Sequence, residues 1–191
     1  MPDIAEQLPA ALLEAVDVQI RADGSCPRPQ VHILAEDLDA AYLGHVVCRR
    51  FYRGADAAAA LGGLGVLPSV VKATRLFVLW EERDLRTALE IQKESDASAL
   101  VIVDARFDGH TLHWHPFNAR LAPASSGREP AILVQWDTPA RYENVPLPPP
   151  IESLLQTWRE LWDDDLERTA VQLQEAGYEL YWAMPSDKSH D

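Results

Sequence analysis

The spacing of apolar and polar positions changes several times along the chain, and each change predicts an element. Leu12, Leu13, Val16 and Ile20 form a stripe at helical spacing, so LPAALLEAVDVQIRADG predicts a first helix. Pro9 suits its first turn and Gly24 its exit. VHILAED (31–37) and YLGHVVCRRFYR (42–53) have strand character and predict a loose hairpin. Beyond Gly54, ADAAAALGGLG (55–65) predicts a helix that dies in glycines, and LPSVVKAT (67–74) a further turn or two begun by Pro68. RLFVLWEE (75–82) predicts a strand, and DLRTALEIQKE (84–94) a helix capped by Asp84.

The strongest local signal is ALVIVDARFDGHTLHWHPF, where two strand-like runs flank Asp108-Gly109. That pair can take the positive φ values of a tight hairpin turn. ALVIVDA is almost wholly apolar and so predicts a central strand. Residues 119–130 predict a surface loop, AILVQWD (131–137) a strand, and the Pro-rich residues 138–150 a second surface loop. Ile151, Leu154, Leu155, Trp158, Leu161 and Trp162 then share one helical face. Leu166, Ala170 and Leu173 continue its phase, but Asp163–Asp165 suit a cap and first turn better than a helix interior, which predicts two helices. Gly177 predicts a stop, EAGYELYWAM a last strand, and residues 185–191 a disordered tail.

The order α, β, β, α, α, β, α, β, β, β, α, α, β predicts an α/β protein, or α+β in the strict sense. The expected architecture is a single domain, residues 1–191, with a mixed sheet of about seven strands and packed helices. A chain of this length buries enough surface to fold without a disulfide or structural metal. Cys26 and Cys48 are the two cysteines, the N-terminal stretch has no basic start, and no apolar run reaches the ~20 residues of a membrane helix. These features predict a cytoplasmic protein with reduced thiols and no membrane association.

Charge refines the picture. The net charge is −13, yet residues 45–75 carry +4 while residues 1–44 carry −6 and residues 152–191 carry −7. Nucleic acid is therefore a poor partner, because phosphate binding is driven by Lys and Arg displacing counterions. Within the basic island, Arg49, Arg50 and Arg53 precede a predicted helix start, where backbone N–H groups and guanidinium forks together suit a carboxylate or phosphate. Asp56 is the expected competitor, able to cap that helix and repel an anion.

HTLHWHPF offers different chemistry. Side chains alternate along a strand, so His113 and His115 share a face, and two imidazoles at that spacing can hold one zinc or another divalent metal. Asp104, across the hairpin, is the candidate further ligand, while His110 has the opposite parity. The competing expectation is an ordinary strand with half-exposed histidines. Cys48 and His45 fall on opposite strand faces, no nucleophile elbow is present, and Glu81 and Glu82 predict a solvated strand end. Trp158 and Trp162 lie on the apolar stripe of an acidic helical region, facing either the core or a partner, with a homodimer as one form of the latter.

These residues lead to two expectations. The first is a non-catalytic interaction or regulatory module that recognises an anionic ligand at Arg49, Arg50 and Arg53, or a protein through Trp158 and Trp162, without a cofactor. The alternative is a metal-dependent hydrolase built on His113, His115 and Asp104. A converging deep pocket favours an enzyme; a shallow patch favours a binding module.

Overall fold

The computed structural model describes residues 4–91, 98–123 and 130–183. Its elements are α1 (Ile4–Asp23), β1 (Gln30–Leu34), β2 (Tyr42–Val47), α2 (Ala55–Gly63), α3 (Val66–Val70), β3 (Arg75–Glu81), α4 (Glu82–Ala88), β4 (Ser98–Ala105), β5 (His110–Ala122), β6 (Ala131–Trp136), β7 (Ala140–Glu143), α5 (Pro149–Arg159), α6 (Leu166–Glu175) and β8 (Glu179–Trp182). The strands form one eight-stranded sheet in the order β6-β5-β4-β3-β1-β2-β8, with β7 also paired to β5. Every pairing among the described residues is antiparallel, which makes the α/β protein an α+β fold in the strict sense, not one with a mixed sheet.

Helices cover both faces. Ala5, Leu12, Val16 and Ile20 of α1 bury against Leu34, Phe77, Leu79, Leu100 and Ile102. On the other face α2, α3 and α5 bring Leu61, Leu67, Ile151, Leu154 and Trp158 onto Val31, Ile33, Val78, Trp80, Val101 and Val103. A strand covered on both sides has no reason to alternate, and all seven residues of β3 are buried. ALVIVDA occupies such an interior position as β4, between β3 and β5.

Several boundaries move for identifiable reasons. The first helix starts by Ile4, so Pro9 lies inside it and not in its first turn. Glu81, not Asp84, caps α4: its carboxylate accepts the Asp84 N–H at 2.6 Å. That helix stops at Ala88, where Ile91 N–H turns back to the Arg86 carbonyl; the rest of the expected helix, from residue 92, lies outside the described residues. In the β4–β5 hairpin Arg106 N–H bonds the Gly109 carbonyl at 2.9 Å, which centres the turn on Phe107-Asp108. Asp108 and Gly109 therefore do not adopt positive φ.

The expected loops also contribute strands. Residues 119–122 extend β5, and 140–143 form β7 within the Pro-rich segment. β6 and β7 share one edge of β5: β6 pairs with Phe117–Ala122 and β7 with Thr111–Trp114. Asp165 caps α6 by accepting the Arg168 N–H at 2.7 Å, which separates the two C-terminal helices as expected. The predicted tail, 185–191, lies outside the described residues.

β8 closes the sheet beside β2 through an unusually close backbone approach. Gly44 has φ +136°, and a Cβ there would sit 2.1 Å from the Tyr181 carbonyl oxygen. Only glycine combines that dihedral with that spacing. Gly44→Ala is expected to cost about 1–3 kcal/mol and to speed amide hydrogen exchange selectively across Glu179–Trp182. An unchanged denaturation midpoint and unchanged exchange would show that the strand accommodates a methyl group there.

Candidate functional site

Strand parity decides which side of the sheet each end residue serves. Trp80 and Glu82 turn toward the α2/α5 layer, where the Trp80 indole N–H donates to Glu82 Oε2 at 2.9 Å and Arg86 Nε donates to Glu82 Oε1 at 2.6 Å. Glu81 shares the other side with Phe77 and Leu79, beneath α1. Both acids are buried, contrary to a solvated strand end, because β3 runs in the interior of the sheet and α4 folds back directly over its terminus.

Glu81 is 4% exposed. Oε2 receives the Asp84 N–H, whereas Oε1 is buried with no hydrogen-bond partner among the described residues. Burial raises its pKa above the ordinary carboxylate range, with the backbone N–H groups of Asp84 and Arg83 acting in the opposite sense. A buried carboxylate oxygen without a donor is costly, since the lost hydration is not replaced.

This residue stands in the wall of a cleft of about 770 Å³. The end of α1 and the following connector supply one side, with Ile20 and Cys26; α4 supplies Arg83 and Asp84; β5 and β6 supply the opposite rim with Asn118 and Asp137. Gly24, at φ +78°, turns the chain out of α1 and starts the connector along that wall. Phe117 and Trp136 pack with ring centroids 5.1 Å apart, and the Trp136 indole N–H donates to Asp17 of α1 at 2.8 Å. These contacts fix the rim against the helix. A narrower space of about 190 Å³ shares Cys26, Glu81 and Asp84 and reaches under Pro27 and Phe51. Burial pushes the Cys26 thiol up to about 12, reinforced by the Glu81 and Asp84 charges, so the thiol is a neutral wall group and not a nucleophile.

The residues singled out from the sequence lie elsewhere. Arg49 Nη2 binds Asp56 Oδ1 at 2.6 Å, and the other Asp56 oxygen accepts the Tyr52 N–H at 2.7 Å. The strand ends at Val47, so the alternation expected to unite Arg49 and Arg53 lapses before it reaches them. Arg50 and Arg53 are exposed. Near the helix start itself, the Glu90 carboxylate lies 3.4 Å from where a Gly54 Cβ would stand. The chain's own acids thus surround the start of α2, leaving no converged anion site of the three arginines.

His113 and His115 do share a face, opposite Ile102 and Leu100 of β4. Their rings are nearly parallel, with centroids 6.5 Å apart. A ligating imidazole holds an ion close to its own ring plane, so stacked rings do not aim at a common ion. Burial lowers the pKa of both, with the Arg141 charge adding to the effect at His113. Asp104 is committed: Arg75 grips its two oxygens at 2.8 and 2.7 Å and also binds Glu36 at 2.9 Å. Among the described residues no three His, Cys, Asp or Glu side chains converge as metal ligands would. The expected His113–His115–Asp104 constellation is therefore not assembled. His110, of opposite parity, bonds the Val145 carbonyl at 2.8 Å.

The tryptophan pair divides. Trp158 is fully buried and donates its indole N–H to the Ala73 carbonyl at 2.8 Å, so it is a core residue and not part of a binding surface. Trp162 is 41% exposed, and its indole donates to Glu160 at 2.6 Å. Leu161, at φ +49°, ends the helical path between them, and Lys72 Nζ caps the carbonyls of Leu161 and Trp162 at 2.5 and 2.6 Å.

The fold and this geometry define an α+β protein with helices on both faces of one antiparallel sheet and an acid-walled cleft at one end of it. No helix among the described residues is long and apolar enough to cross a membrane. Comparison of the chain with protein-family models, curated proteins and solved structures returns no match. The sequence predicts a solvated strand end at Glu81 because its burial depends on α1 and α4 folding around it. The usable signal was the wholly apolar RLFVLW running directly into two acids, which marks a strand end that is itself inside.

Proposed function

We propose that the protein is a non-catalytic recognition module whose ligand seat is the cleft walled by Glu81. The observation that carries this reading is the buried, partnerless Oε1 of Glu81 in the wall of a cleft whose volume is that of a small-molecule site. Folded proteins retain such unpaired groups rarely, and a ligand donor would supply the missing bond. Among the described residues, the cleft presents Cys26 held as the thiol beside hydroxyls, amides, carboxylates and Arg83, a lining suited to hydrogen-bonded recognition.

The test is a fragment titration followed by amide chemical shifts in the protein and in Glu81→Gln. Fragments that bind are expected to move the resonances of Cys26, Ser98, Asn118 and Gln135 together, and Glu81→Gln is expected to weaken the best of them about tenfold, as loss of a charged hydrogen bond does. Shifts confined to Arg50 and Arg53, or to Trp162, would overturn this assignment of the seat.

A further inference from the structure

The cleft's charge and its missing bond together specify what it recognises, and this step rests on the cleft being the ligand seat. Among the described residues, three carboxylates line it, Glu81, Asp84 and Asp137, against one base, Arg83. An anionic ligand would meet net repulsion there, and a neutral apolar one would leave the Glu81 oxygen as bare as it is now. Asn118, Gln135, Ser25 and Ser98 can donate or accept and so adapt to a ligand's other polar atoms. Glu81 is the buried lining group that can only accept while it is ionised.

We infer that the cleft takes a small organic cation, an ammonium- or guanidinium-bearing molecule whose charged N–H groups pair with the buried Glu81 carboxylate. Glu81 is the inner anchor because it is 4% exposed and its Oε1 has no other partner among the described residues. Asp84 and Asp137 are exposed and act at the rim, where charge raises the rate of encounter more than the final affinity. A bare metal ion fits less well. Hard cations need several converging oxygen ligands, and among the described residues no three acidic, histidine or cysteine groups converge. The volume of about 770 Å³ instead accommodates an organic body behind the charged head. Ile20, Pro116 and Phe117 provide the apolar wall for that body.

The experiment compares three probes of one shape on the wild-type protein: benzylammonium, benzyl alcohol and benzoate, with benzamidine as a guanidinium-like fourth. Each is titrated while amide shifts of Cys26, Ser98, Asn118 and Gln135 are followed. The expected result is that the two cations bind at least tenfold more tightly than the alcohol and that benzoate does not bind. Glu81→Gln, which keeps the acceptor for the Asp84 N–H, is expected to remove that preference by weakening the cations about tenfold. Asp137→Asn, at the exposed rim, is expected to weaken the cations only about twofold at low salt; it provides a folded control should Glu81→Gln lose stability. Equal binding of cations and alcohol in the cleft would overturn the cation preference but leave the seat intact. Benzoate binding most tightly there would do the same. No perturbation of the cleft by any probe, with shifts arising elsewhere, would overturn both readings.

Discussion

Lowering the pH from 7 to 4 is expected to cost the protein about 3 kcal/mol through His32 alone, a loss largely absent in His32→Phe. His32 is 5% exposed, and burial followed by the neighbouring His45 lowers its pKa from 6.5 to about 3. Its ring stacks on His45 at 4.8 Å, which in turn stacks on Tyr181 at 4.7 Å. Nδ1 lies 2.9 Å from the Tyr42 hydroxyl, whereas Nε2 is buried without a partner among the described residues. A proton on Nε2 would be an orphaned donor, so hydrogen-bond logic assigns it to Nδ1, donating to Tyr42. The Tyr42 hydroxyl then donates to His45 Nδ1 at 3.2 Å.

The direction of the pH effect follows from the two pKa values. Between pH 6.5 and about 3 the unfolded chain binds a proton at His32 that the native protein excludes, so stability is complete above pH 6.5 and falls as the pH drops through that window. His45, His113 and His115 are also lowered by burial and add to the loss in the same sense. Urea denaturation at pH 7, 5.5 and 4 measures this. His32→Phe should be less stable at pH 7 by about 1 kcal/mol for the lost Tyr42 bond, yet show a flatter dependence below pH 6.5. Parallel slopes for the two proteins would mean that His32 is protonated in the native state.

Trp158→Ala is expected to remove about 3–5 kcal/mol, the usual cost of deleting a buried aromatic, and Trp162→Ala less than about 1 kcal/mol. Trp158 is fully buried, with its ring centroid 5.0 Å from that of Phe107 and the Arg159 guanidinium 5.7 Å away. Truncation opens a cavity and also strands the Ala73 carbonyl, which loses its 2.8 Å donor. Trp158→Phe separates these effects: it keeps most of the volume, loses the donor, and should cost about 1–2 kcal/mol. Thermal or urea midpoints of the three variants decide the matter. A loss for Trp162→Ala as large as that for Trp158→Ala would contradict the partition of this helical stripe into core and surface.

The same partition shows what periodicity can express. One apolar stripe carried both tryptophans, and the spacing that placed them together was correct up to Leu161, where the backbone turns left-handed and the stripe loses its phase. Local pattern likewise gave the helix break at Asp163–Asp165, the stop at Gly177 and the interior character of ALVIVDA. Each depends on dihedral preferences or burial demands that neighbours in sequence impose.

Partners drawn from afar were beyond that reach. Asp104 was free to be a metal ligand until strand pairing laid β3 beside β4 and delivered Arg75, 29 positions earlier, to both of its oxygens. Arg49 was an anion-binding fork until Asp56 folded back onto it. Glu81 looked solvated until α1, which starts 77 positions before it, covered its face of the sheet. A side chain's period and neighbours in sequence determine which face of an element it occupies. Whether that face meets water, an apolar layer or a counter-charge is decided by the sheet order, because burial and pairing energies exist only between groups that the completed tertiary structure brings within a few ångströms.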